Sequence, residues 1–239
     1  MKKLLTIILL LAGISIFANA ALQKPVKEMK FKATAPNMDS IKLEIRDPAS
    51  NFFYKKLWKK YESNDTNMSM QAYRHLYLGY VFSEDYNPYR ESEFSKRVKD
   101  LYYKKEHTAA EQDTIIEYAE RSLEDDPFDL NQMQFLIYAL KEKKKNARSA
   151  IWQFRLNHLV QAILSTGLGT KESPWVVTSP VHEYVIANFL GYTVVDHKEY
   201  EGDIDYIIFG NPKKDGPEGF YFDVSNILKM YNLKYPGEQ

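Results

Sequence analysis

The stretch from Thr108 to Gly169 constrains this chain most, because its punctuation is that of antiparallel helices. Thr108 and Glu111 stand at capping-box spacing, so each side chain can satisfy an amide left open at a helix start. Ile115, Tyr118, Ala119, Ser122 and Leu123 then recur at helical spacing and predict one largely apolar face. Pro127 ends that helix, since it has no amide proton and disfavours helical geometry at the residue before it. Asp129 is placed to cap a second helix whose buried stripe is Met133, Leu136, Ile137 and Leu140. Lys141, Lys143, Lys144 and Lys145 gather near its carboxyl end, where the helix dipole favours cations. A solvated helix end explains that run better than a nucleic-acid patch. Asn146 can cap a third helix that reaches about Thr166, with Gly167 as terminator. Two apolar stripes on it (Trp152, Leu156, Leu159, Ile163 and Ile151, Phe154, Ala162) predict burial against more than one neighbour.

Helix, proline turn, helix, short polar turn, helix is the pattern of stacked helical hairpins. The segment LEDDPFDLNQMQFLIYAL resembles the junction between two tetratricopeptide repeats, although the Trp-Leu-Gly-Tyr signature of that repeat is missing.

Upstream, residues 21–37 are polar, carry Pro25 and Pro36, and read as an extended arm. Residues 38–45 suit a strand through Ile41, Leu43 and Ile45, or a helix through Met38, Ile41 and Ile45; the helix is expected. Asp47-Pro48 reads as the cap and first position of a helix whose broad face is Phe53, Tyr54, Leu57, Trp58 and Tyr61. The next helix starts at Ser69, with Met68 and Tyr73 as a hydrophobic staple, and ends before the turn Tyr86-Asn87-Pro88-Tyr89. A further one follows Ser92, with Phe94, Val98, Leu101 and Tyr102 as its stripe. Apart from the 38–45 segment, this reading places six helices before Gly169.

Beyond Gly169 the pattern changes. Pro174 to Thr178 is a short β-branched run, and Ser179-Pro180 opens a helix that Gly191 closes. Tyr192–Val195, Tyr206–Phe209 and Phe220–Val224 read as strands, joined by turns at Gly202, Asn211-Pro212 and Asp215-Gly216-Pro217. Ser225 is placed to cap a last helix. The expected class is α+β, mostly α: tetratricopeptide-like hairpins over 38–169, then a small antiparallel sheet with helices over 170–239, packed on them as one unit.

The first twenty residues read as a secretory signal peptide. Lys2 and Lys3 give a positive start, Leu4 to Phe17 is almost wholly apolar, and Ala18-Asn19-Ala20 is a cleavage site. The expected location is therefore periplasmic or secreted, with no membrane span after signal removal. An exported chain with no cysteine has neither disulfides nor thiolate metal ligands, so its stability has to come from a core. A hydrophobic fraction of 44% supplies one. Charge balance, 32 basic against 32 acidic residues, argues against a nucleic-acid partner.

No complete catalytic constellation is present. His182-Glu183-Tyr184 begins like a zinc-protease helix, but the second histidine such a motif needs is Ile186. Just after Pro180 these residues fall in a first helical turn, where the dipole favours Glu183. Asp196, His197, Asp203, Asp205 and Asp223 read as solvated turn residues, and Asp203-Ile204-Asp205 lacks the rest of a calcium loop. No metal or cofactor is expected. His158 reads as a packed, hydrogen-bonded core residue. Thr166 to Lys171 follows a helix and is not a phosphate loop. Eighteen tyrosines suit binding surfaces and hairpin packing alike.

The segments RHLYLGYVFSEDYNPY (Arg74 to Tyr89), DPFDL, SPVHEY and GFYFDVS, in this order, resemble a family catalogued as a domain of unknown function. The resemblance runs from about Ala35 to about Lys234. It implies export from Gram-negative bacteria and a single unit of tetratricopeptide-like helices with a small α/β portion; it implies no activity or ligand. Read as a surface, its motifs offer Tyr77, Gly79, Tyr80, Tyr86, Asn87, Tyr89, His182, Glu183 and Tyr184 as binding residues. The expected function is an exported, non-enzymatic interaction module for a protein or peptide held on the concave side of the helices. The alternatives are a cell-envelope hydrolase or glycan-active enzyme using His182, Glu183 and an aspartate of the sheet, or a glycan-binding protein that stacks sugars on Tyr and Trp.

Overall fold

The computed structural model describes residues 32–200, 202–214 and 216–237. The signal-peptide reading, and residues 21–31 of the arm, lie outside them. In chain order the elements are α1 (Met38–Arg46), α2 (Tyr54–Glu62), α3 (Met70–Gly79), a short 3-10 turn, α4 (Glu93–Arg97), a second 3-10 turn (Lys99–Tyr103), α5 (Ala109–Asp125), α6 (Leu130–Glu142) and α7 (Asn146–Leu164). Then come β1 (Trp175–Val176), α8 (Val181–Phe189), β2 (Val194–Tyr200), β3 (Ile204–Phe209), β4 (Gly219–Asp223) and α9 (Ser225–Lys234). The chain divides into two compact units. Among the described residues one holds Arg90–Leu156 and Tyr184–Val194, the other 32–89, 157–183 and 195–237.

In the first unit α5 and α6 form a packed helical hairpin, with α4 against α5. The capping box at Thr108 and Glu111 is complete, and Asp129 accepts the Gln132 amide as the cap of α6. The faces turned inward are the expected ones: Ile115, Ala119 and Leu123 on α5, and Met133, Leu136, Ile137 and Leu140 on α6. Charged groups tie the hairpin at its rim. Lys143 meets Asp113 at 2.9 Å, and Arg148 at the start of α7 meets Glu120.

In the second unit α1 and α2 pack on α3. Every residue of α3 from Ala72 to Gly79 is buried, so this helix is a core element and not an amphipathic one. A side chain at Gly79 would press on Ile45 at 3.1 Å, so glycine here allows the close approach of α1 and α3. The four strands lie in the order β1-β4-β3-β2. Tyr206 stands opposite Tyr221 in the antiparallel β3–β4 ladder, and β1 pairs parallel to β4.

Several boundaries differ from the sequence reading, each for a local reason. Residues 38–46 form the expected helix, carried one residue further to Arg46. Asp47 does not start the next helix. It ends α1, and its carboxylate takes the Ala49 amide in a tight turn, so α2 begins only at Tyr54. The helix after Ser92 breaks at Val98 into a 3-10 turn. Ser225 is not a cap, because its amide and hydroxyl both donate to Asp223. The sheet is mixed, mostly antiparallel, because β1 joins β4 in parallel after the intervening helix and strands have returned the chain.

Candidate functional site

The residues picked out by motif fall in four places. Tyr77 and Tyr86 are fully buried, as is nearly all of His182. The Tyr77 hydroxyl accepts the Thr178 amide at 3.0 Å and lies 2.7 Å from His182 Nδ1; the Tyr86 hydroxyl donates to the Thr178 carbonyl at 2.8 Å. Both backbone polar groups of Thr178 are thereby met inside the protein, and the segment leading into α8 is pinned to α3 and to the turn after it. Around this pin, Gly79 is buried and Tyr80 half-buried, edge-on to Tyr86 with ring centres 5.6 Å apart. Asn87 is half-buried and its side chain accepts the Tyr89 amide at 3.0 Å. Tyr184 is buried in the other unit. Tyr89, 40% exposed, is alone among the nine in facing solvent, and its ring stands edge-on to Tyr231 at 4.9 Å.

Glu183 belongs to a different group. It is 0% exposed, and its carboxyl lies with His197 and Asp205, their nearest donor atoms all within 4.8 Å of one another. His197 Nε2 is 3.2 Å from Asp205 Oδ2, and these two side chains are 7% and 11% exposed. The cluster is assembled by register. The first turn of α8 delivers Glu183, and β3 alternates so that Asp205, Ile207 and Phe209 point inward while Ile204, Tyr206 and Ile208 stay half-exposed. Asp205 is therefore not the solvated turn acid that its neighbour Asp203 is. The alternation in Ile204–Phe209 is the signal that could have found it, since Asp205 sits in phase with two apolar core residues.

The electrostatics follow from burial. Both Glu183 oxygens are sealed from solvent, and neither makes a well-formed hydrogen bond among the described residues, the Asp205 carboxyl being a polar group beside them. Desolvation pushes the Glu183 carboxyl well above the usual range, and the neighbouring Asp205 carboxyl, through its charge and then through hydrogen bonding, and last the charge of Glu199 add to it. The same charges, after burial and Tyr231, raise Tyr89. Two carboxyl groups and an imidazole in this arrangement can share a proton or hold a metal ion, the ion being bound through one nitrogen and two oxygens.

The half-exposed side of the sheet has another character. Tyr206 stacks on Tyr221 with ring centres 4.3 Å apart, and Tyr200, 40% exposed, stands 6.2 Å from Tyr206 and 6.0 Å from Tyr221. Lys171 Nζ lies 5.7 Å from the centre of the Tyr200 ring. Sequence reasoning counted these tyrosines without placing them together, because their grouping depends on the β3–β4 register.

Among the described residues no helix is long and apolar enough to cross a membrane. Comparison with curated proteins and with solved structures yields no match to either. A family model described as a domain of unknown function, DUF4919, matches residues 39–233, and the chain belongs to that family.

Proposed function

We propose that this protein is an exported, non-enzymatic binding module, and that the tyrosine face of its sheet takes up a protein or peptide partner. The observation that carries the reading is the Tyr200, Tyr206 and Tyr221 group, three rings in mutual contact on the half-exposed side of β2, β3 and β4. Tyrosine presents a broad apolar ring and a polar tip, and it orders at small entropic cost, which suits it to partner contacts. Ile204 and Ile208, half-exposed on the same side of β3, extend the apolar area, with Lys171 at the Tyr200 ring. The concave-helix site expected from sequence has lost its support, because Tyr77, Tyr86 and His182 are buried. Export rests on the charged start, apolar run and Ala-Asn-Ala site of the first twenty residues.

The test places a photo-crosslinking residue at Tyr200 in the full chain expressed in its envelope, with the exposed Glu62 as control position. A discrete protein adduct from position 200, absent from position 62, supports the reading. No adduct, together with a melting-temperature rise on adding envelope glycans that Tyr200→Ala removes, would replace it with a glycan-binding module.

A further inference from the structure

We infer that Glu183, His197 and Asp205 form a site for one divalent transition-metal cation of the zinc or manganese class, separate from the tyrosine face. The argument starts from charge. Among the described residues no lysine or arginine pairs with Glu183 or Asp205, so the basic group that stands beside these two buried carboxyls is the His197 imidazole. Buried ionised groups are ordinarily paired, hydrogen-bonded or bound to metal. Asp205 has His197 at 3.2 Å, while both Glu183 oxygens are buried without a well-formed hydrogen bond, and one of them lies within 4.8 Å of the donor atoms of His197 and Asp205.

The donor geometry fits an ion. Two ligands on a tetrahedral centre with bonds of ~2.0–2.1 Å stand about 3.3 Å apart, close to the separation of His197 Nε2 and Asp205 Oδ2. The widest separation, bounded by 4.8 Å, closes to that value by a movement of about 1.5 Å, within reach of a change in the Glu183 side-chain torsions. An imidazole with only two carboxylates favours zinc, manganese or iron over calcium, which takes six to eight oxygens. Three protein donors leave a fourth position open to water or to a ligand atom.

The ligands come from three separate elements, α8, β2 and β3, so the ion would tie the start of the helix to two strands. Metal binding should therefore register as stability as well as occupancy.

The experiment uses the full secreted chain after chelator treatment, titrated with Zn²⁺ and Mn²⁺ by calorimetry and with Co²⁺ by visible absorption. Binding of one ion per chain is expected, with a rise in melting temperature and, for Co²⁺, bands that report coordination by nitrogen and oxygen. Glu183→Gln keeps the side-chain shape, and His197→Ala removes the imidazole ligand. Each should weaken binding by more than the ~10–100-fold typical of losing a residue that merely supports a ligand. Glu183→Gln should also melt at or above the metal-free parent, which shows that lost binding is not lost folding. Absence of binding by the parent chain, or undiminished binding by both variants, would overturn the site and leave a proton shared between the two carboxyl groups.

Discussion

The Arg74 guanidinium donates to the Ser165 carbonyl at 2.7 Å and to the Ser165 hydroxyl at 2.6 Å, deep in the second unit. Ser165 immediately follows the last residue of α7, so the cation sits where that helix presents open carbonyls and the negative end of its dipole. A third bond, to the Thr34 carbonyl at 3.0 Å, closes a link in which the Thr34 amide itself donates to Ser165. Burial without a carboxylate lowers the Arg74 pKa, so backbone carbonyls carry the solvation of this charge. Arg74→Met should cost ~3 kcal/mol, since it strands several buried acceptors at once. Arg74→Lys, with a point charge in place of a fork, should cost roughly half of that. Denaturant midpoints measure both, and a loss below ~1 kcal/mol for Arg74→Met would show that water replaces the guanidinium.

Helices α2, α6 and α8 end in the same way. Asp65 N–H bonds Lys60, Lys145 bonds Leu140 and Tyr192 bonds Ala187, each with the inner bond that completes a Schellman motif. The residue in the left-handed conformation is Asn64 in the first, Lys144 in the second and Gly191 in the third. Lysine is the poor choice of the three, because its Cβ crowds the backbone there. Lys144→Gly should stabilise the protein by ~0.5–1 kcal/mol, the relief of strain exceeding the added freedom of the unfolded chain. A fall in melting temperature would mean that the Lys144 side chain makes a contact worth more than the strain.

Much of the helical half was legible because its signals are local. Thr108 with Glu111, Ser69 and Asp129 act within one turn, so capping chemistry read from sequence survives in the fold. Asp47-Pro48 carried the same kind of signal and went the other way, because Asp47 has an equally local alternative in a turn. The candidate sites were hidden for a different reason. Glu183, His197 and Asp205 come from three elements, and the three tyrosines from β2, β3 and β4, so neither group exists until strand register is set. Family motifs also misled about exposure. Tyr77 and His182 stand out in the sequence as surface candidates, yet their place is around Thr178.

The turn between α5 and α6 gives a pH test. Desolvation, and then the charge of Asp129, raises Asp126 to about 7, and desolvation raises Asp129 to about 6. A carboxyl group raised on folding binds more protons in the native protein than in the unfolded chain, so stability falls as pH rises. The contribution of this pair is intact below the ordinary aspartate value of 3.8 and is lost as pH climbs through about 6 to about 7. Asp126→Asn keeps an acceptor for the Phe128 amide and removes one titrating group. It should match the parent near pH ~4 and exceed it at pH ~8 by on the order of 2 kcal/mol. Melting curves at the two pH values decide it; equal curves at both would show that Asp126 is already ionised in the native protein at little cost.

The pin at Thr178 separates two kinds of loss. Tyr77→Phe removes the acceptor of a buried amide and a bond to His182, whereas Tyr86→Phe removes only a donor to a carbonyl. A buried amide without a partner is rarer and costlier than a carbonyl that keeps one lone pair unused. Tyr77→Phe should therefore cost ~2–3 kcal/mol and Tyr86→Phe about 1 kcal/mol, with the rings still filling the core in both. Because neither hydroxyl faces solvent, crosslinking from position 200 should be unchanged in Tyr86→Phe at a temperature well below its melting point. Equal losses in the two variants would mean that a water enters beside Thr178 once the Tyr77 hydroxyl is gone. Loss of crosslinking from a folded Tyr86→Phe protein would return these motif tyrosines to the partner-binding surface.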